Sequence, residues 1–359
     1  MLLPENLFEN YSYASSTSNS LKNYSNQFAK LLRDVFPREA SVLEIACNDG
    51  ILLRELTANG FNSVGIDPAD EMVERAINEG LNAVIGFWPQ ENQKIPKTKF
   101  DLVVGQNVLA HNPHPIAFLE ATHEFLEEDG VVIFQTSQAD MVSRNEFDTI
   151  YHEHFSFFCE DSAYALSQKA GFKNLTTFYT PIHGTSAVFC FTNSDLGLNR
   201  AKKLKRTFSE FFPDSNSLQS NNYRKTRELS DWIQFAKNAD QVLVDIQNQI
   251  SQARAANFRV VCVGASAKGM TTIKAANTIV DDFIDEAQDK IGKYIPGLGT
   301  QIKNFKEYTF SGKDFYVFTA WNFAREIAVK MLEQGANSNS QVLIFFPYVH
   351  LKKLNELVE

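Results

Sequence analysis

Apolar positions along the first half of the chain follow two rhythms. Short apolar runs bounded by turn residues cover 42–46, 63–67, 83–87, 101–106 and 131–136 and read as strands. Between them, apolar residues three and four apart predict helices over 52–59, 69–79 and 116–127. Strand followed by helix, repeated, predicts a parallel sheet with helices on both faces, a Rossmann-like α/β domain. An amphipathic helix over 21–35, stopped near Pro37, precedes it, and residues 1–24, rich in Asn, Ser and Tyr, read as an irregular arm. After the fifth strand, a helix over 162–170 and strand-like runs over 174–179 and 186–191 predict a closing antiparallel hairpin. Residues 199–256 are polar and helical in period, broken around Pro213. A second series follows, with strands over 259–265, 278–285, 314–320 and 341–347 and helices over 268–276 and 322–333, and predicts a second, smaller α/β unit. The expected division is an arm and helix over 1–40 that pack on the active site, a first domain over 41–195, a helical connector over 196–256 and a C-terminal α/β domain over 257–359.

Composition narrows the class. With 359 residues and 44% hydrophobic content, the chain can bury two cores. A net charge of −9 gives no overall attraction to nucleic acid or an anionic membrane, so neither is expected as a partner. The four cysteines, Cys47, Cys159, Cys190 and Cys262, form no pair at metal-ligand spacing. Reduced thiols, no metal and a cytoplasmic location are expected. The first residues lack a leader pattern, and there is no apolar run long enough for a membrane span.

Two stretches carry the chemistry. The first, V-L-E-I-A-C-N-D-G from Val42 to Gly50, leaves a strand through Asn48-Asp49-Gly50 into a helix. It lacks the G-x-G-x-x-G that brings backbone close to a pyrophosphate. Glu44 and Asp49 instead supply negative charge for an ammonium group, and Asp67, ending the second strand, has the register of a carboxylate that accepts ribose hydroxyls. S-adenosylmethionine has both features. Phe87 and Trp88 offer either a stacking face for adenine or a core pair. Gln106 and Asn107 lie at the carboxyl edge of the sheet, where they either hold the cofactor or cap a helix. The second stretch, D-T-I-Y-H-E-H-F-S-F-F from Asp148 to Phe158, gathers two histidines, a glutamate and a tyrosine within four residues. Taken alone it suits a general base, a solvated cluster or a metal site. In the second α/β unit, V-G-A-S-A-K-G around Gly264, Ser266 and Lys268 reads either as a diphosphate cradle or as a tight packing turn.

These stretches belong to an ordered set that also contains L-F-E-N-Y-S-Y-A-S-S, Q-N-V-L-A-H-N, I-H-G-T-S, K-I-G-K-Y-I-P-G and T-A-W-N-F-A-R-E-I. Throughout its length the chain resembles the sugar C-methyltransferases that act on nucleotide-linked 4-keto-deoxysugars. The resemblance implies a class I methyltransferase domain followed by a helical connector and a second, smaller Rossmann-like domain. It implies transfer of a methyl group from S-adenosylmethionine to the carbon beside the keto group, with carbon 3 of a thymidine-diphosphate sugar favoured. By the same resemblance His154 is the base, Glu153 and Tyr151 set its orientation, and His111 and Tyr11 are the candidates for donating to the oxygen on which negative charge develops. The cofactor site takes in Glu44, Ala46, Asn48, Asp49, Gly50, Asp67, Pro68, Phe87, Gln106 and Asn107. The nucleotide-sugar falls to Tyr13, His183, Ser186, Gly264, Ser266, Lys268 and Asn322.

Three departures stand out. The family's zinc domain has no match here; Ala46 replaces a glycine, a change expected to be harmless if its backbone angles are ordinary; and Gln135-Thr136-Ser137 replaces a Glu-x-Pro. An O- or N-methyltransferase and a catalytically silent nucleotide-binding partner are the alternative readings, and either a monomer or a homodimer is compatible.

Overall fold

The computed structural model describes residue 8 and residues 14–137, 141–180, 182–212 and 227–359. They fall into two compact units, one made of residues 1–139 and 152–226 and the other of residues 140–151 and 227–359.

The first unit is built on strands β1 (Ser41–Ile45), β2 (Asn62–Asp67), β3 (Ala83–Ile85), β4 (Phe100–Gln106), β5 (Leu126–Thr136), β6 (Asn174–Thr180) and β7 (Ser186–Thr192). Their order is β3-β2-β1-β4-β5-β7-β6. Strands β1 to β5 run parallel, and β7 pairs antiparallel with both β5 and β6. Helices α1 (Asn19–Val35), α2 (Ile51–Ala58), α3 (Asp70–Asn78), α4 (Pro115–Glu124), α5 (Glu160–Lys169) and α6 (Asp195–Phe211) complete it.

Strand alternation divides the core in two. Val42, Leu102 and Val104 face Phe28 and Leu32 of α1, Leu52 and Leu56 of α2, and Phe208 of α6. Leu43, Ile45 and Val103 face Phe118 and Leu119 of α4 and Ala163 and Leu166 of α5. In α1 the buried stripe Leu21, Tyr24, Phe28, Leu31, Leu32 carries the packing, and the Ser18 side chain caps its start by accepting from the Leu21 amide.

The second unit has β8 (Arg259–Val263), β9 (Asp282–Asp285), β10 (Ile302–Asn304), β11 (Asp314–Phe318), β12 (Gln341–Ile344) and β13 (His350–Lys353), in the order β10-β9-β8-β11-β12-β13. All pairings are parallel except β12 with β13. Helices α7 (Leu229–Ala255), α8 (Ala267–Ala275) and α9 (Ala324–Glu333) belong to it. The stretch expected as one connector is divided between the two cores. Ala201, Leu204 and Phe208 of α6 pack in the first unit, whereas Val242, Ile246, Ile250 and Ala253 of α7 pack in the second.

Several elements differ from expectation for local reasons. The strand expected from 278 begins at Asp282, because the Asp281 carboxylate takes the Val260 amide at 2.8 Å and interrupts the ladder. A 3-10 turn, Trp321–Phe323, precedes α9. The short polar edge strands β10 and β13 carry no apolar alternation that would announce them. All four cysteines are free, and Cys47, Cys190 and Cys262 are buried. Among the described residues, no helix is long and apolar enough to cross a membrane.

Candidate active site

The turn after β1 is held in an unusual backbone shape. Ala46, Asn48 and Gly50 have φ of +63°, +50° and +77°, the left-handed region that costs an L-residue about 1–2 kcal/mol. The condition under which the change to Ala46 was expected to be harmless, ordinary backbone angles, is therefore not met: a glycine there would relieve strain. Gly50 cannot be replaced cheaply, because φ +77° strains any other residue and a Cβ would lie 3.1 Å from Ala76 Cβ as well as displacing the end of the Leu81 side chain. Asp67 holds the turn from the end of β2. Its Oδ2 accepts from the Asn48 amide at 2.9 Å and its Oδ1 from the Ala69 amide at 2.8 Å, and each oxygen keeps a second lone pair.

Burial dominates the electrostatics of this turn. It raises the Asp67 carboxyl from 3.8 to about 6 against those two hydrogen bonds. Glu44, inside β1, is pushed well above the usual carboxylate range, first by burial and then by Asp67 and Asp49. Glu44 Oε2 and Asp49 Oδ1 are buried acceptors without a protein partner.

The residues before α1 join the same turn through their backbone amides, groups that carry no side-chain signal. The Ser15 amide donates to Asn48 Oδ1 at 3.0 Å and the Ser16 amide to Asp49 Oδ2 at 3.1 Å. At the edge of β3 the aromatic pair divides its roles. Trp88 is core, with Nε1 toward the Phe118 carbonyl and its ring edge-on to Phe125. Phe87 stays partly exposed, its amide bonded to Glu91. Gln106 and Asn107 follow β4 with Gln106 Nε2 and Asn107 Oδ1 buried and unpartnered, and Asn107 at φ +55°. Pro68 is partly exposed beside Asp67.

Taken together, this edge of the first unit presents carboxylate acceptors at Glu44, Asp49 and Asp67 and an amide pair at Gln106 and Asn107. That donor and acceptor set fits S-adenosylmethionine.

His111 and His154 lie side by side in the same unit, with ring centroids 4.7 Å apart. The chain after Glu153 is docked on the 3-10 turn Leu109–His111 through the Phe155 and Ser156 amides, both donating to the Ala110 carbonyl. His111 Nδ1 lies 3.0 Å from the Glu153 carbonyl oxygen. A carbonyl only accepts, so Nδ1 carries the proton and the neutral ring keeps an acceptor lone pair on Nε2. Burial, and then the neighbouring His154, lower the His111 pKa to about 3. The ring of Phe8 meets it edge-on at 5.5 Å. The expectation that His111 donates to a developing oxyanion is thus corrected, since its only N–H is already committed. Glu153 contributes that carbonyl, and burial raises the pKa of its carboxyl. His152 is exposed. Tyr11 and Tyr13 lie outside the described residues, and Tyr151 groups with the second unit.

The substrate residues expected elsewhere divide. Ser186 is fully buried and donates to the Ile182 carbonyl at 2.9 Å, fixing the β6–β7 turn rather than facing a pocket. His183 lies in that turn at φ +57°. Gln135, one of the departures from the family pattern, accepts from the Tyr24 hydroxyl at 2.6 Å.

In the second unit, the turn after β8 repeats the design of the first. Asp285, at the end of β9, accepts from the amides of Ala265 and Ala287 as Asp67 does from Asn48 and Ala69. Ser266 caps α8 by accepting from the Gly269 amide, and donates to the Thr319 carbonyl. With Gly264 at φ +92° and a Cβ on Gly269 only 2.3 Å from Thr319, this is a tight packing turn. The amides of Gly264, Ala265 and Gly269 are already bonded within the protein, and Lys268 Nζ is buried without a hydrogen-bond partner. Asn322, in the 3-10 turn before α9, is partly exposed.

Comparison with known proteins gives two family matches, one in each part of the chain. A family described as a methyltransferase domain matches residues 20–177, and one described as a C-methyltransferase C-terminal domain matches residues 214–347. The C-methyltransferase NovU of Streptomyces niveus is 25% identical over 333 residues, covering 90% of this chain and 77% of that protein. The ubiquinone biosynthesis O-methyltransferase of Actinobacillus pleuropneumoniae is 30% identical over 104 residues, covering 26% of this chain and 44% of its own length. Among solved structures, a TehB-like methyltransferase from Corynebacterium glutamicum covers 46% of this chain and 87% of its own, at 18% identity and a TM-score of 0.36.

Proposed function

We propose that this chain, which belongs to the S-adenosylmethionine-dependent C-methyltransferases, methylates the carbon beside the keto group of a nucleotide-linked 4-keto-6-deoxysugar, with carbon 3 the position favoured. S-adenosylmethionine, when bound, supplies an electrophilic methyl group. Glu44, Asp49 and Asp67 hold its ammonium and ribose ends, Gln106 and Asn107 offer amide contacts, and Phe87 offers a stacking face. Every other step falls to side chains of the protein.

The observation that carries this reading is the paired histidines. A carbon acid next to a ketone needs a base that is unprotonated before the reaction and takes up the proton during it. His111 is locked neutral, so the pair has room for the one proton that His154 removes from the α-carbon. The electron pair left on that carbon is the nucleophile, and its charge spreads onto the ketone oxygen. Nε2 of His111, being an acceptor, does not stabilise that oxygen, and Tyr11 remains the proposed donor. Lys268 is proposed to hold the nucleotide phosphates. The reaction is proposed to take place in the cytoplasm.

Two measurements test the proposal. In deuterated water, enzyme and keto-sugar without methyl donor should exchange the α-proton, and His154→Ala should suppress that exchange at least a hundredfold. Unimpaired exchange by His154→Ala would remove this histidine from the role of base. Mass spectrometry after incubation with a panel of 4-keto nucleotide-sugars should show a single added methyl on carbon; a methyl ether or N-methyl product would overturn the reaction type.

A further inference from the structure

Gln135 is a buried polar side chain with no task in the reaction above. It lies near the end of β5 on the face covered by α1. Val131 and Ile133 before it belong to that core, as do Leu102 and Val104 before Gln106, its register partner on β4. The Asn107 amide donates to the Gln135 carbonyl at 2.9 Å, so the ladder fixes the backbone up to this point. Gln135 is 3% exposed. Its Oε1 accepts from the Tyr24 hydroxyl at 2.6 Å, while its Nε2, also buried, has no partner.

Proton counting fixes which end of the amide is left over. The Thr180 hydroxyl hydrogen-bonds to Tyr24 and opposes the rise that burial imposes on its pKa, as a donor to the phenol oxygen does. The Tyr24 proton then goes to Gln135, where only Oε1 accepts. Tyr24 is itself held, its ring stacked on Phe28 at 5.8 Å and edge-on to Phe208 at 6.4 Å. Nε2 is therefore fixed as a donor with no acceptor in the protein, a state costly enough to need a reason.

Strand order says what this donor faces. Glu44 and Asp67 of the cofactor turn lie on β1 and β2, and Gln106 lies on β4. Strand β5 is one strand farther on, and the 3-10 turn carrying His111 packs against it. Gln135 thus stands past the cofactor groups, on the side of the histidine pair, where the methyl acceptor lies in the proposed reaction.

We propose that Gln135 selects the substrate: its Nε2 donates to an oxygen substituent on carbon 3 of the keto-sugar, so that the chain takes a hydroxylated sugar and rejects one with an ammonium group there. An ammonium group has only N–H donors, and set against Nε2 it would leave both groups unpaired in a buried site. Tyr24 is a positioning residue, because its hydroxyl keeps the donor end of the amide free for the ligand. The choice of sugar and of carbon 3 rests on the reaction proposed above; the demand for an oxygen acceptor comes from Gln135 alone.

Calorimetry on the full chain, loaded with S-adenosylhomocysteine so that no methyl can be transferred, tests the selection. The probes are two thymidine-diphosphate 4-keto-6-deoxysugars that differ only in a hydroxyl or an amino group at carbon 3, at a pH where the amino group is protonated. The wild type should bind the hydroxyl sugar at least tenfold more tightly. Gln135→Glu, which replaces the donor by a carboxylate, should shift that ratio at least tenfold toward the amino sugar and leave S-adenosylmethionine affinity within about twofold of wild type. Tyr24→Phe lets the amide turn either end to the ligand and should reduce the ratio with no change of charge. A wild-type preference below tenfold, or an unchanged ratio in Gln135→Glu, would reduce Gln135 to an anchor for Tyr24. Should that variant not fold, an unchanged ratio in Tyr24→Phe would do the same. A tenfold loss of S-adenosylmethionine affinity in Gln135→Glu would move Gln135 into the cofactor site, and a wild type that binds neither sugar would overturn the selection. Both sugars bound as described, with the methyl found on oxygen or not transferred at all, would overturn the proposed reaction and leave the selection standing.

Discussion

Replacing Asp67 by asparagine tests the electrostatics of the cofactor turn, because two effects of known sign oppose each other. Burial moves the Asp67 carboxyl from 3.8 to about 6. At about 1.4 kcal/mol for each pH unit of displacement, the ionised form costs the folded protein about 3 kcal/mol at neutral pH. A carboxyl raised in this way adds stability below its unfolded value and loses it as pH rises through the folded value, here between about pH 4 and pH 6. Asparagine removes that cost. It also replaces one of two oxygens that accept buried amides, from Asn48 and Ala69, with an NH₂ group that cannot accept, a loss of about 1–3 kcal/mol.

The second effect is nearly independent of pH and the first is not. Without cofactor, Asp67→Asn should therefore be less stable than wild type at pH 4, and equal to it or up to about 2 kcal/mol more stable at pH 7. Urea unfolding at the two pH values measures the difference, which should move by about 2 kcal/mol in favour of the variant. An equal deficit at both would refute a buried, destabilised carboxylate. Calorimetry with S-adenosylmethionine should show at least tenfold weaker binding in the same variant, since the proposed ribose acceptor is gone.

Two further outcomes follow from local geometry. Gly50→Ala places a methyl 2.5 Å from Leu81 Cδ1 at φ +77° and should cost about 2–4 kcal/mol in denaturant unfolding; a loss below about 0.5 kcal/mol would mean that the turn relaxes around it. In nitrogen NMR, His111 should show a protonated Nδ1 and a bare Nε2 at pH 7 and should titrate only far below the ordinary histidine range, near pH 3, whereas a midpoint near 6.5 would refute the locked tautomer.

The order of strands and helices was legible because a parallel sheet covered on both faces leaves a strong pattern, with apolar runs in β1, β4 and β5 and helical stripes between them. What the pattern lacked was the partner of each stripe. The polar stretch after β7 reads as helical, yet nothing in its period says that α6 packs on the first sheet and α7 on the second. Local chemistry was legible where a side chain must be acidic or amidic to work, as at Asp67, Gln106 and Asn107. It was hidden where the backbone does the work. The amides of Ser15 and Ser16 and the carbonyl of Glu153 act through groups that every residue carries, so their roles depend on tertiary placement alone. The strained angles at Ala46 were hidden for the same reason.

That hidden carbonyl decides the chemistry of the histidine pair. Two imidazoles at 4.7 Å cannot both hold a proton cheaply, and an unconstrained pair would share one charge between them near neutral pH. By taking the Nδ1 proton of His111, the Glu153 carbonyl leaves that ring only its acceptor side, while burial keeps a second proton off it. In the proposed reaction, the proton taken from carbon is then the first charge to enter the pair rather than the second, and His154 is the ring on which it rests. Moving the protonation of His111 into the neutral range would reverse this order. The pair would be charged before substrate arrives, and the base would be weakest at the pH where it must act.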